Sequence, residues 1–250
     1  MNRLSVALVI LAVASMACGL TDENSLATSL AATRLEEAVE LTATAISLEA
    51  IATQTPSPTP TLTPLPQTPT SSASLDELSA ITLLEFELPD GFAQIPPEEL
   101  GFSEAEIKAL MAADDLSVGS VFSFLHDAQF QFLIGWTVFL PDRVSRAAFD
   151  AEINRPESLL DALVASLEAG EVTDSKILPI PGTIGDASTA VTLALRFPDG
   201  ALPLRMDFLA FRRELLGVFI FEAYVDGEPA QAPIVDVART IDSKIQSALQ

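Results

Sequence analysis

Three stretches of different patterning make up the chain. From Leu4 to Ala14 it is apolar throughout. From residue 19 to 52, Leu26, Leu30, Leu35, Val39, Ile46 and Ile51 recur at mostly helical intervals among Ala, Thr and Glu, which predicts a helical stalk about 45 Å long at ~1.5 Å per residue. A loosely helical spacer and a weak self-associating coil both fit so narrow a stripe. From residue 75 onward, alternation and helical periodicity take turns as in a folded domain. Ile81–Leu88 reads as a first strand closed by Pro89-Asp90-Gly91. Ser103-x-x-Glu106 is a capping box that opens a helix running through Ala112. Gly119–His126 and Gln129–Leu140 read as a hairpin turning at Asp127-Ala128, with Phe130, Phe132, Ile134, Trp136, Val138 and Leu140 on one face.

Helices are expected over 144–153 and 156–169, the second ending at Gly170 as its C-cap. Strands follow at 171–179, 187–197, 203–211 and 217–225, with Asp199-Gly200 as one hairpin turn. A last helix starts with Pro233 in its first turn. Ile234, Val237, Ala238, Ile241, Ile245 and Leu249 form its apolar face, with Asp236, Arg239, Asp242 and Lys244 off the stripe. Strands in runs and helices in blocks predict an α+β domain, a largely antiparallel sheet packed by helices.

Composition narrows the functions this domain can have. The 250 residues carry 13 Lys+Arg against 35 Asp+Glu, a formal charge of −22, which repels a phosphate backbone and argues against nucleic-acid binding. One Cys and one His exclude an internal disulfide and a Cys/His zinc site. Of the 17 prolines, six fall within residues 53–70 (TQTPSPTPTLTPLPQTPT). So dense a run favours extended polyproline II, up to about 55 Å at ~3.1 Å per residue. Residues 53–74 are thus a disordered Thr/Pro-rich spacer.

The first apolar run follows Met1-Asn2-Arg3 and leads through Ser15-Met16-Ala17 to Cys18. It is too short to span a membrane, which takes about 20 apolar residues, and it has the organisation of a secretory signal covering 1–17. Ser15-Met16-Ala17-Cys18 resembles the lipobox of bacterial lipoproteins, in which the cysteine is acylated (with palmitate or a similar chain) and becomes the N-terminus. Ser15 and Met16 depart from that pattern, and ordinary cleavage after Ala17 remains the alternative. With its stalk and spacer the chain resembles surface lipoproteins that hold one domain away from the membrane. The resemblance implies a membrane attachment through Cys18 on the extracytoplasmic face.

The domain itself resembles two groups. Leu88-Pro89-Asp90-Gly91-Phe92 is similar to the LP-x-GF/W opening of PsbP-like domains. Ile184-Gly185-Asp186-Ala187, then Phe208–Val225, then Val237-Ala238-x-x-Ile241-Asp242-x-x-Ile245 are similar to a pattern in extracellular lipoproteins and sensor domains. There an R-x-G-N hairpin is expected; Phe211-Arg212-Arg213 is followed here by Glu214-Leu215, which shifts the expected turn to Leu216-Gly217. The resemblance implies a sheet packed by helices and no catalytic set.

The chain carries few residue patterns with a recognisable chemistry. No G-x-S-x-G, P-loop or G-x-G-x-x-G occurs. His126 beside Asp127 fits a residue pair at an exposed hairpin end better than a general base with its orienting carboxylate. Glu85/Glu87, Glu98/Glu99 and Asp114/Asp115 lack the Asp/Asn-Gly loop of a calcium site and read as solvated faces. Arg212 and Arg213, an adjacent basic pair in an acidic domain, are the candidate anion contact; pairing with Glu214 or Asp207 across a hairpin is the structural alternative. No catalytic residue, metal site or cofactor is expected. The leading expectation is a lipid-anchored extracytoplasmic domain that binds a ligand or protein, not an enzyme. The alternatives are a secreted hydrolase with an unrecognised carboxylate site and a structural envelope protein.

Overall fold

A computed structural model describes residues 80–250 apart from 101–102, 113–115, 168–169 and 198–201. The signal at 1–17, Cys18, the stalk, the 53–74 spacer, Asp114/Asp115 and the Asp199-Gly200 turn lie outside the described residues.

The described residues form an α+β fold on one seven-stranded sheet in which every neighbouring pair is antiparallel. In chain order the elements are β1 (Ala93–Gln94), α1 (Glu104–Ala112), β2 (Ser117–His126), β3 (Gln131–Phe139), α2 (Arg143–Ile153), α3 (Pro156–Ser166), β4 (Glu171–Ile177), β5 (Ala187–Arg196), β6 (Leu204–Arg213), β7 (Leu216–Val225) and α4 (Ile234–Ala248). The sheet order is β1-β2-β3-β7-β6-β5-β4. The chain therefore builds one meander from the left, crosses a face of the sheet through α2 and α3, and returns from the far edge strand by strand until β7 meets β3.

Both faces of the sheet are covered, and that is why β5, β6 and β7 are apolar almost throughout. On one face Ile107, Met111, Phe149, Ile153 and Leu163 from α1–α3 pack on Ile134, Trp136, Val191, Leu193, Phe208 and Phe219. On the other, Ile234, Val237, Ala238, Ile241 and Ile245 of α4 pack on Leu133, Leu209, Phe211, Val218 and Ile220. The second face of β3, which carries Gln131 and Thr137, is as buried as the first: those two residues are 1% and 0% exposed.

The capping box at α1 is present in both directions. Glu106 N donates to Ser103 Oγ at 3.1 Å and Ser103 N to Glu106 Oε2 at 2.9 Å. Asp142 caps α2 by accepting from Val144 N and Ser145 N.

Five expectations need correction. Ile81–Leu88 is not a strand: the edge of β2 is taken by β1, and 81–84 runs as unpaired chain beside the sheet. Ile81 and Leu83 are buried on the α4 face, which produced the alternating pattern. A 3-10 turn at Glu85–Glu87 follows. Phe130 does not join the β3 stripe, because it takes a left-handed conformation (φ 48°) after a 3-10 turn at Asp127–Gln129. Helix α3 stops at Ser166 with Leu167 as its C-cap, so Gly170 has no capping role. The β6–β7 turn is at Glu214-Leu215, not Leu216-Gly217. His126 is not exposed; it is 9% accessible.

Gly91 accounts for the burial of His126. The Pro89–Phe92 loop lies over the imidazole so closely that a Cβ at Gly91, where φ is +104°, would collide with Nε2. Phe92 meets the ring edge-on at 5.1 Å between centroids, and His126 Nδ1 accepts from Gln129 N at 3.3 Å.

Candidate functional site

Two polar clusters stand out from the apolar layers: one wraps the end of the sheet from the α2 face to the α4 face, the other lies on the α4 face alone. The first is built on the β6–β7 turn. Arg212 and Arg213 end β6 and point to different partners, as adjacent strand residues must. Arg212 makes a bidentate pair with Asp150 of α2, Nε to Oδ1 at 2.7 Å and Nη2 to Oδ2 at 2.9 Å. Arg213 makes a second with Asp242 of α4, Nε to Oδ1 at 2.8 Å and Nη2 to Oδ2 at 2.7 Å. Asp186, just before β5, receives both remaining Nη1 groups, at 2.8 Å and 3.2 Å.

Asp186 also accepts from Glu214 N at 2.8 Å, while Arg212 Nη1 donates to Glu214 O at 3.1 Å. Those bonds hold a non-glycine residue at φ 52°, which explains how Glu214-Leu215 can turn a two-residue hairpin. Gly185, at φ +64°, lets the chain pass the Arg212 carbonyl where a Cβ would collide, and its N–H donates to Asp242 Oδ2 at 3.2 Å.

The arginine pair thus already holds three carboxylates of its own chain, from α2, from the segment before β5 and from α4. Its partners are Asp150, Asp186 and Asp242, not Glu214 or Asp207. Such paired guanidiniums titrate even higher than usual, chiefly because of the bonds to Asp150 and Asp242. Burial pushes the Asp242 carboxyl up, but Arg213, the Gly185 N–H and Gln246 together hold it below the ordinary carboxylate range.

The second cluster is acidic and more deeply buried. Asp207 of β6 and Glu222 of β7 are directly opposite each other, 5% and 0% exposed. Glu222 accepts from Gln131 Nε2 and, at 3.0 Å, from Ile234 N at the start of α4. Gln131 in turn accepts from Gln231 N at 2.7 Å. Glu222 therefore ties β3 and β7 to the N-terminus of α4, where a negative charge is favoured. Asp207 Oδ2 accepts from Tyr224 OH at 3.1 Å, while among the described residues its Oδ1 has no hydrogen-bond partner. Arg205, two residues earlier on the same face, donates to Asp226 and to Thr192 Oγ1.

Burial is the main cause that raises both carboxyl groups, Glu222 well above the ordinary value, and for Glu222 the neighbouring Asp207 adds to it. The same pair raises the Tyr224 phenol, after burial. Two carboxyl groups placed this way resist losing both protons. The sign follows: a group whose pKa is higher folded than unfolded stabilises at low pH, and that contribution is lost as pH rises through the folded value. Asp207→Asn removes one of the two charges. The variant is expected to lose less stability than the wild type as pH rises above the ordinary carboxylate range, read as Tm against pH; parallel curves would contradict the assignment.

The sequence points to Asp207 only as an alternative partner of the arginines and does not point to Glu222, although each interrupts an apolar strand, LRMDFLAF and GVFIFEAYV. Asp242 was placed off the α4 stripe, yet it is 4% exposed; it lies four residues after Ala238 and three before Ile245, on the flank of the buried face. Among the described residues His126 has no carboxylate partner at hydrogen-bond distance; Gly91, Phe92 and Gln129 lie against it. Among the described residues no group of three or more His, Cys, Asp or Glu could hold a metal ion, and no helix is long and apolar enough to cross a membrane. Cys18 lies outside the described residues. In comparisons with known proteins, no protein-family model and no curated protein matches the chain.

Proposed function

We propose that the chain is a surface lipoprotein, acylated at Cys18 on the extracytoplasmic face of the cell membrane. Its stalk and Thr/Pro spacer hold residues 75–250 away from the bilayer as a non-catalytic domain for binding a protein or small molecule. The observation that carries this reading is the placement of the chain's one cysteine directly after an apolar leader and ahead of that spacer. A free thiol has little other use in an exported protein, and two acyl chains, at ~0.8 kcal/mol per buried CH₂, anchor stably where one would not. Support for binding over catalysis comes from how the reactive groups are used. Arg212 and Arg213 are saturated by aspartates, and His126 is packed under a loop.

Fractionation tests the anchor. Cys18→Ser is expected to move the protein from the membrane to the soluble fraction; a variant that stays with the membrane contradicts it.

The buried Asp207–Glu222 pair favours a second reading, a hydrolase with two carboxyl groups. Against it, Glu222 is fully buried and committed to Gln131 and the α4 N-terminus, whereas a general acid must reach the proton it transfers.

A further inference from the structure

Among the described residues the sheet ends on an edge strand, β4, that has no neighbour on its outer side and whose charges complement each other. Among the described residues β4 pairs with β5 alone, and the opposite edge of the sheet, β1, is two residues long. Every residue from Thr173 to Ile177 is exposed. Asp174 and Lys176 share a face, their side chains 46% and 59% accessible and 3.3 Å apart from Oδ2 to Nζ. Ile177 is one of the few large apolar side chains left in solvent, at 43%.

We propose that β4 pairs antiparallel with β4 of a second copy of this chain, about a two-fold axis through Ser175. A two-fold axis perpendicular to the sheet keeps each side chain on its own face, so such a pairing can be centred only on a residue. Centring on Asp174 sets two aspartates against each other, and centring on Lys176 sets two lysines. Centring on Ser175 sets Asp174 against Lys176 of the second copy and Lys176 against its Asp174, while Thr173 meets Ile177. Opposite charges directly across a strand pair stabilise it, and like charges destabilise it.

A lysine on an edge strand ordinarily deters pairing. Here Asp174 offsets it, in that one register. The bulge between Val172 and Asp174 confines the contact to five residues on each strand, so the dimer is weak in solution and gains from the crowding of anchored copies. The charges set the register more than the affinity.

Charge exchange tests the proposal on the full chain in detergent, with sedimentation followed across a range of protein concentration. The wild type is expected to show a concentration-dependent monomer–dimer equilibrium. Asp174→Lys and Lys176→Asp each turn two attractions into two repulsions and should weaken it by about tenfold or more. A one-to-one mixture of the two variants should dimerise again, because one strand then presents two lysines to two aspartates. A wild type that stays monomeric overturns the proposal. So do variants that dimerise like the wild type, which would place the association in the stalk or elsewhere, and a mixture that stays monomeric.

Discussion

Replacing Arg213 with alanine is expected to cost the domain about 3–5 kcal/mol, since it strands a buried carboxylate. Asp242 has a side chain only 6% exposed, and Arg213 supplies both of its closest partners. Gly185 N and Gln246 would still donate to Oδ2, which places the loss toward the lower end of that range. Asp186 would lose one of its donors at the same time and keep those from Arg212 and Glu214 N. The pH dependence identifies the cause. Asp242 has a depressed pKa when folded, so its contribution is present above the unfolded value and is lost as pH falls through the folded one. The gap between wild type and variant should therefore be widest near neutrality and shrink in acid. Denaturant unfolding at several pH values measures it; a gap independent of pH would mean that Arg213 acts through packing. The double variant Arg213→Met/Asp242→Leu, which removes both charges, should be more stable than Arg213→Ala.

Ile241→Ala is the second large effect, about 2–5 kcal/mol from lost transfer energy and the cavity left behind. Ile241 is 0% exposed, in the middle of the α4 face that covers β6 and β7. In a domain of this size, that corresponds to a fall in Tm of roughly 5–20 °C. Ser243→Ala, exposed on the same helix, should stay within about 0.5 kcal/mol of the wild type. An Ile241→Ala protein that melts like the wild type would show that α4 is not docked.

The helix α4, the capping box at Ser103 and the β2–β3 hairpin were legible because each is set by neighbours a few residues away. Periodicity failed where a remote element had already taken the partner. Ile81 and Leu83 alternate like strand residues, but the edge they would have paired with belongs to Ala93 and Gln94. The candidate site was half legible for the same reason. Arg212 and Arg213 were visible as a pair in an acidic domain, while their partners lie 62, 27 and 29 positions away and only the folded topology gathers them. Asp186 and Asp242 stood within motifs noted for their resemblance; their common role as carboxylates on one turn needed the structure. His126 reads as a hairpin end in sequence and is one, but the glycine that buries it comes from a loop 35 residues earlier.

The mass of the mature N-terminal peptide decides whether Cys18 anchors the chain. Cleavage before Cys18 with acyl groups on that residue is the predicted result. A mature peptide beginning at Cys18 and carrying no lipid, or one that retains residues before it, would rule out a lipid anchor at Cys18.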